Sequence, residues 1–180
     1  IHVASYGKDV KDADTNLLTV IKAIDKIEGV ERIRLSSVEP LLMTDEFIDT
    51  VAKMPKVCPH FHLSLQSGCD ETLKRMNRRY TTKEYKDIVD KLRQKMPNVA
   101  ITTDVIVGFP GETNNEFSQT YEFLRDIELS QMHVFKYSPR KGTKAASFPN
   151  QVDGNMKAKR SDILINLSNV NEKEFASKYI

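Results

Sequence analysis

Apolar residues recur along this chain in two alternating rhythms. Leu17, Leu18, Ile21, Ile24 and Ile27 fall at helical spacing through the stretch from Asp14 to Lys26, with Gly29 as the expected closing residue. From Arg32 to Ser36, polar and apolar positions alternate as in a strand with one buried face. Thr44 is the expected cap of a short helix carrying Phe47, Ile48, Val51 and Met54. His60-Phe-His-Leu-Ser-Leu65 alternates again, and Asp70 to Asn77 reads as a short helix. Thr81 and Glu84 stand at capping-box spacing before a longer helix whose buried stripe is Tyr85, Ile88, Val89, Leu92 and Met96. Val99 to Val107 predicts a strand. Thr113 and Glu116 predict a second capping box, and Phe117, Tyr121, Leu124 and Ile127 the helix behind it. A last strand is expected from Met132 to Tyr137, then a basic loop punctuated by Pro and Gly, then a polar helix from about Asp153.

Strands and helices in alternation imply an α/β fold, with parallel strands and helices packed outside them. The inner face is informative. Phe61, Leu63 and Leu65 point one way, while His62, Ser64 and Gln66 point the other; Ile33 and Leu35 oppose Arg34 and Ser36 in the same manner. A filled barrel interior is rich in Val, Ile and Leu. A polar inner face therefore predicts an open or wide barrel around a polar ligand, or else an edge position or a solvated sheet face.

Composition narrows this picture only a little. At 180 residues the chain can bury a single core, and no apolar run is long enough for a membrane-spanning helix. Two cysteines, Cys58 and Cys69, without a secretory signal pattern favour a reducing, cytoplasmic setting. A net charge of +2 implies no nucleic acid by itself. The segment from Lys136 to Arg160, however, holds seven Lys/Arg against one acid, Asp153, which suits either a solvated face or a phosphate-backbone contact. The opening Ile1-His-Val-Ala-Ser-Tyr-Gly7 reads as a strand end and its loop, so the chain is expected to be a portion of a longer protein.

Cys58-x-His60-x-His62 with Cys69 raises zinc as a candidate ligand, but the two cysteines sit at opposite ends of an element roughly 20 Å long by strand rise, too far to converge. No Cys-x-x-Cys or three-cysteine motif is present, so this segment alone offers no iron–sulfur ligand set. The stronger signal is Asp104, in Thr103-Asp-Val-Ile-Val-Gly-Phe-Pro-Gly-Glu112, an acid on a strand that runs through a break into a capped helix. In α/β folds, ligands bind at that edge of the sheet. Gln66, Arg78 and Asp104 all fall at or beyond such strand ends, and Arg suits a ligand carboxylate while Gln and Asp suit hydroxyls. That trio fits a zwitterion bearing a ribose, such as S-adenosylmethionine. No glycine-rich loop precedes a helix in phosphate-cradling form, which disfavours a phosphate-binding barrel.

Five segments in order, Arg32-Ile-Arg-Leu-Ser-Ser-Val-Glu-Pro40, His62-Leu-Ser-Leu-Gln-Ser-Gly68, Arg75-Met-Asn-Arg-Arg-Tyr80, the Thr103–Glu112 run and Val134-Phe-Lys-Tyr-Ser-Pro-Arg-Lys-Gly-Thr143, resemble the radical S-adenosylmethionine methylthiotransferases. Leu-Ser-Ser-Val-Glu-Pro is most similar to the branch acting on N6-threonylcarbamoyladenosine beside the tRNA anticodon. The resemblance implies a partial (β/α) TIM-like barrel lacking its first strand and cluster loop, with a β/α core over about 1–150 and a terminal helix over about 153–180. It implies S-adenosylmethionine and 4Fe-4S clusters as cofactors, the cluster ligands lying outside this chain, and tRNA as partner. It places Gln66 and Asp104 on the ribose, Arg78 on the carboxylate, Ile106 and the Tyr137-Ser138 backbone beside adenine, and Ser37 or Glu39 on the amino group. No acid–base residue is required, and the isolated chain is expected to be inactive. An exposed sheet edge makes a non-native oligomer an expectation as well. The alternatives are a radical enzyme with another substrate, whether another modified adenosine, a protein or a porphyrin, and a non-enzymatic RNA-binding module.

Overall fold

The structure, a computed structural model, describes residues 5–7, 9, 15–35 and 37–179. The chain divides into two compact units, Ile1–Ser64 with Asp87–Ile101, and Leu65–Lys86 with Thr102–Ile180.

In the first unit, α1 (Leu17–Asp25) starts at Asn16, whose side chain accepts from Thr19 N while Thr19 Oγ1 accepts from Asn16 N, both at 3.0 Å. The expected start at Asp14 lies outside the described residues. The helix closes at Lys26, so Gly29 is not its closing residue; at φ 82° it serves the turn beyond. Thr44 caps α2 (Asp45–Val51) as expected, its Oγ1 accepting from Phe47 N, and Phe47, Ile48 and Val51 are buried. Of the strand anticipated from Arg32 to Ser36, Ser36 lies outside the described residues; among the described residues isolated parallel bridges join Ile33 to Val57 and Val38 to Leu63. Five residues separate the bridges on one side and six on the other. That one-residue slip breaks the ladder, leaving His60–His62 as the regular strand β1.

Helix α3 (Asp70–Arg75) belongs to the second unit, and α4 (Thr82–Lys95) runs from the second unit into the first. The Thr81–Glu84 capping box forms, with Thr81 N donating to Glu84 at 2.7 Å and Glu84 N to Thr81 Oγ1 at 3.2 Å. Strand β2 (Ala100–Val107) pairs in parallel with β3 (Gln131–Lys136), and the sheet order is β1-β2-β3. The register sets Asp104 beside His133 and Ile106 beside Phe135. Between these strands runs α5 (Asn114–Ile127), started by the Thr113–Glu116 box. The last helix, α6 (Gly154–Ser177), is capped by Asp153. It lies along β3, where Ser168 Oγ accepts from Met132 N at 2.9 Å and donates to Met132 O at 3.1 Å. One helix hydroxyl thus satisfies a rung of the strand edge.

Candidate functional site

The second unit gathers polar groups at the C-terminal ends of its strands. Just past β1, Gln66 N donates to Asp104 O at 2.8 Å and Gln66 O accepts from Ile106 N at 2.9 Å, so Gln66 rides on β2 between those two residues. Its φ is 74°, a left-handed conformation uncommon outside glycine and asparagine. Neighbours hold it there. Tyr80 OH donates to Leu65 O at 2.8 Å, Leu65 N donates to Thr103 Oγ1 at 2.9 Å, and Ser67 Oγ lies 3.2 Å from Thr120 Oγ1 of α5. Gly68 lets α5 come this close, since a Cβ there would stand 3.0 Å from Phe123 and from the Thr120 backbone. Strain of this kind is worth roughly 1–3 kcal/mol, and it concentrates at ligand sites. Gln66→Gly is therefore expected to raise the urea midpoint while weakening ligand binding. Stability and affinity moving in the same direction would argue against strain held for function.

A cavity of about 380 Å³ opens here, lined by Gln66, Asp104, Ile106, Phe135, Tyr137 and Ser138 together with Lys136, Arg140, Thr143 and Ala145. Five of the eight residues expected to meet the cofactor thus share one cavity. Arg78 does not line it; that residue follows α3, half-buried, with its N bonded to Leu73 O and its Nε buried without a partner. Ser37, exposed, and Glu39, half-buried, lie in the first unit. Five lining residues were missed from sequence: Phe135, Lys136, Arg140, Thr143 and Ala145. Strand periodicity from Tyr137 back to Phe135 carried a signal for the first, because both occupy the same face.

The cavity's walls are fixed from behind. Tyr137 N donates to Val107 O at 2.9 Å, and Lys157 Nζ of α6 donates to Tyr137 O at 3.1 Å while standing 5.3 Å over the Tyr137 ring. The Phe109 ring meets Tyr137 edge-on with centroids 5.2 Å apart. Gly108, at φ 70°, leaves room for the Lys157 stem, which a Cβ would strike. Beyond it, Glu112 accepts from Gly108 N at 2.7 Å and from Arg160 Nη1 at 2.6 Å, with the two charged side chains only 1% and 4% exposed. Arg160 Nη2 also donates to Asn114 at 2.9 Å. Burial pushes the Glu112 carboxyl above its ordinary range, against the pull of Gly108 N–H and of Arg160. Arg75 and Glu116 form a second, bidentate pair at 2.8 and 2.9 Å between α3 and α5, and Arg75 holds the Glu116 carboxyl below the usual range.

Another hollow, about 520 Å³, lies in the first unit and is lined by Lys22, Asp25, Lys26, Glu46, Asp49, Thr50, Lys53 and Met54. It is larger, but its charges of both signs come from helix surfaces and no strand end reaches it. The smaller cavity has the better chemistry for a ligand with one apolar plane and a polar edge.

The profile of the Radical SAM superfamily matches residues 5–124. The chain belongs to the radical SAM superfamily. Its backbone superposes on a radical SAM enzyme, coproporphyrinogen III oxidase from Escherichia coli, with a TM-score of 0.64 at 15% identity, over 78% of this chain and 32% of that one. At such identity the likeness speaks for the fold alone: an open portion of a TIM-like α/β barrel, as expected from sequence. Over 180 residues the chain is 46% identical to the threonylcarbamoyladenosine tRNA methylthiotransferase MtaB of Bacillus subtilis, covering 99% of this chain and 40% of that protein. It is 44% identical to a tRNA-2-methylthio-N(6)-dimethylallyladenosine synthase of Thermoanaerobacter pseudethanolicus over 93% of this chain and 36% of that protein. This radical SAM chain therefore spans about 40% or less of the length of these curated relatives. Among the described residues no helix is long and apolar enough to cross a membrane, and no group of three or more His, Cys, Asp or Glu could hold a metal ion.

Proposed function

We propose that this chain is the cofactor-holding portion of a tRNA methylthiotransferase, a cytoplasmic enzyme that modifies an adenosine next to the anticodon. One observation carries the reading: in a radical SAM chain, Gln66, Asp104, Ile106, Tyr137 and Ser138 wall a single cavity at the C-terminal strand ends. The donor set suits S-adenosylmethionine. Asp104 and the Gln66 amide match the ribose diol, and Ile106 offers an apolar face to adenine beside the Tyr137-Ser138 backbone. Arg78, with its orphaned Nε, is assigned the amino-acid carboxylate. Bound next to a reduced 4Fe-4S cluster, S-adenosylmethionine supplies radical chemistry; the residues described here bind it, orient it and keep water from it.

The finer assignment is N6-threonylcarbamoyladenosine, supported by the Leu35-to-Pro40 motif and by the 46% identity to the Bacillus subtilis enzyme. The 44% relative named for dimethylallyladenosine supports a second reading within the same chemistry. Nucleoside mass spectrometry of tRNA from cells lacking the gene separates them. Loss of the methylthio form of threonylcarbamoyladenosine, with the dimethylallyl form intact, is expected; the opposite pattern transfers the assignment to the second substrate.

A further inference from the structure

Phe135 is an aromatic side chain left open to solvent on the working face of the sheet. Its neighbour Met132 is 5% exposed beneath α6, whereas Phe135 is 51% exposed on the opposite face, in register with Ile106 and forming one wall of the cavity. Lys136 and Arg140 line the same cavity, and Lys141 and Lys144 are exposed on the loop that follows. No acidic residue occurs between Lys136 and Asp153. The loop is built rather than loose. Thr143 Oγ1 donates to Arg140 O at 2.8 Å, and Gln151 Nε2 donates to the carbonyls of Ala145 and Phe148 at 3.2 and 3.0 Å. Gly111 N donates to Asn150 O at 2.9 Å.

An open aromatic plane with two cations lining the same cavity and two more on the following loop suits a ligand that is flat and apolar on one side and polyanionic along its spine. An unpaired nucleotide within an RNA loop has both properties: its base offers a π-face and its flanking phosphates offer charge. A duplex offers the charge but hides the base. A lipid surface would want an uncharged apolar face, whereas Lys136 and Arg140 line this one.

We infer that Phe135 is the platform on which an unpaired base of the substrate RNA stacks, while Lys136, Arg140, Lys141 and Lys144 hold the phosphates on either side of it. This deepens the tRNA reading above and rests on it. The face serves binding, so it acts before any chemistry and can be measured without turnover.

The test is fluorescence anisotropy with the full-length protein and a labelled anticodon stem-loop RNA, repeated with a blunt duplex of the same stem. Phe135→Leu is expected to weaken stem-loop binding roughly tenfold to a hundredfold, Phe135→Tyr to keep it, and neither to alter duplex binding. Replacing Lys141 and Lys144 with Gln should weaken both RNAs, flatten the salt dependence and leave S-adenosylmethionine affinity unchanged. Equal stem-loop affinity for wild type and Phe135→Leu overturns the inference, as does an equal loss on the duplex. A Phe135-dependent dimer in sedimentation assigns the face to a second copy of the chain and also overturns it. If wild-type protein binds the loop through Phe135 yet yields no methylthiolated adenosine, the inference stands and the proposed activity fails. If product forms and Phe135→Leu binds normally, the inference alone fails.

Discussion

Arg160→Met is expected to lower the unfolding free energy by roughly 3–5 kcal/mol at pH 8, the range for removing one partner of a buried ion pair. Glu112 would then keep its charge in a pocket where its side chain is 1% exposed, with only Gly108 N–H and weaker dipoles for company. The loss should shrink toward pH 5. Glu112 already titrates above its ordinary range because of burial, and without Arg160 it rises further. A carboxyl raised in the folded state supports folding at low pH and withdraws that support as pH climbs through the folded value. Adding Glu112→Gln to Arg160→Met should therefore remove the pH dependence and restore part of the stability. Urea unfolding at both pH values reads this directly. A loss independent of pH would mean that the pair contributes packing rather than charge. The effect should also reach the cavity, because Arg160 and Lys157 lie one turn apart on α6 and together brace the Gly108 loop and Tyr137.

Asp104→Ala is expected to weaken S-adenosylmethionine binding by roughly 10- to 150-fold, the worth of a charged hydrogen bond of about 1.5–3 kcal/mol. Asp104 is only partly buried, and a urea midpoint measured on the same variant separates a binding loss from a folding loss. Asp104→Asn should fall between, since an amide still accepts from one hydroxyl but without charge. Arg78→Ala is the informative companion. Its guanidinium does not line the cavity, so a loss comparable to Asp104→Ala would show that the carboxylate end of the ligand extends toward α3. Unchanged binding would remove Arg78 from the site. Calorimetric titration of the three variants distinguishes these outcomes.

The helices were legible where their determinants are local. Thr81 with Glu84 and Thr113 with Glu116 are three residues apart, and each pair forms the reciprocal cap that its spacing implies. Asn16 capped α1 unnoticed because its reciprocal partner is Thr19 rather than Glu or Gln. The Arg32-to-Ser36 alternation was a fair strand pattern; the one-residue slip against 57–63 that undoes it is a property of the partner strand. Gln66 and Asp104 were expected from their place at strand ends, where α/β folds bind ligands, and Ile106 from the motif resemblance; all three line the cavity. Arg140 could not be ranked the same way. Phe135 shares its strand face with Tyr137, a signal that was there to be read, whereas whether a loop cation such as Arg140 reaches a cavity depends on the course of the chain after Tyr137. The Glu112–Arg160 pair joins residues 48 apart and leaves no periodic trace. It took the folded chain to show that the Gly-Phe-Pro-Gly-Glu motif ends in a buried anchor rather than a ligand contact.

The account depends on an adenosyl ligand lodging among Gln66, Asp104, Ile106 and Tyr137. Titrating isotopically labelled protein with S-adenosylmethionine and following amide and methyl resonances tests that most directly. Saturable shifts centred on those four residues, abolished by Asp104→Ala, are the predicted result. Shifts centred instead on the Lys22, Asp49 and Lys53 hollow of the first unit, or no saturable shifts at all, would contradict it.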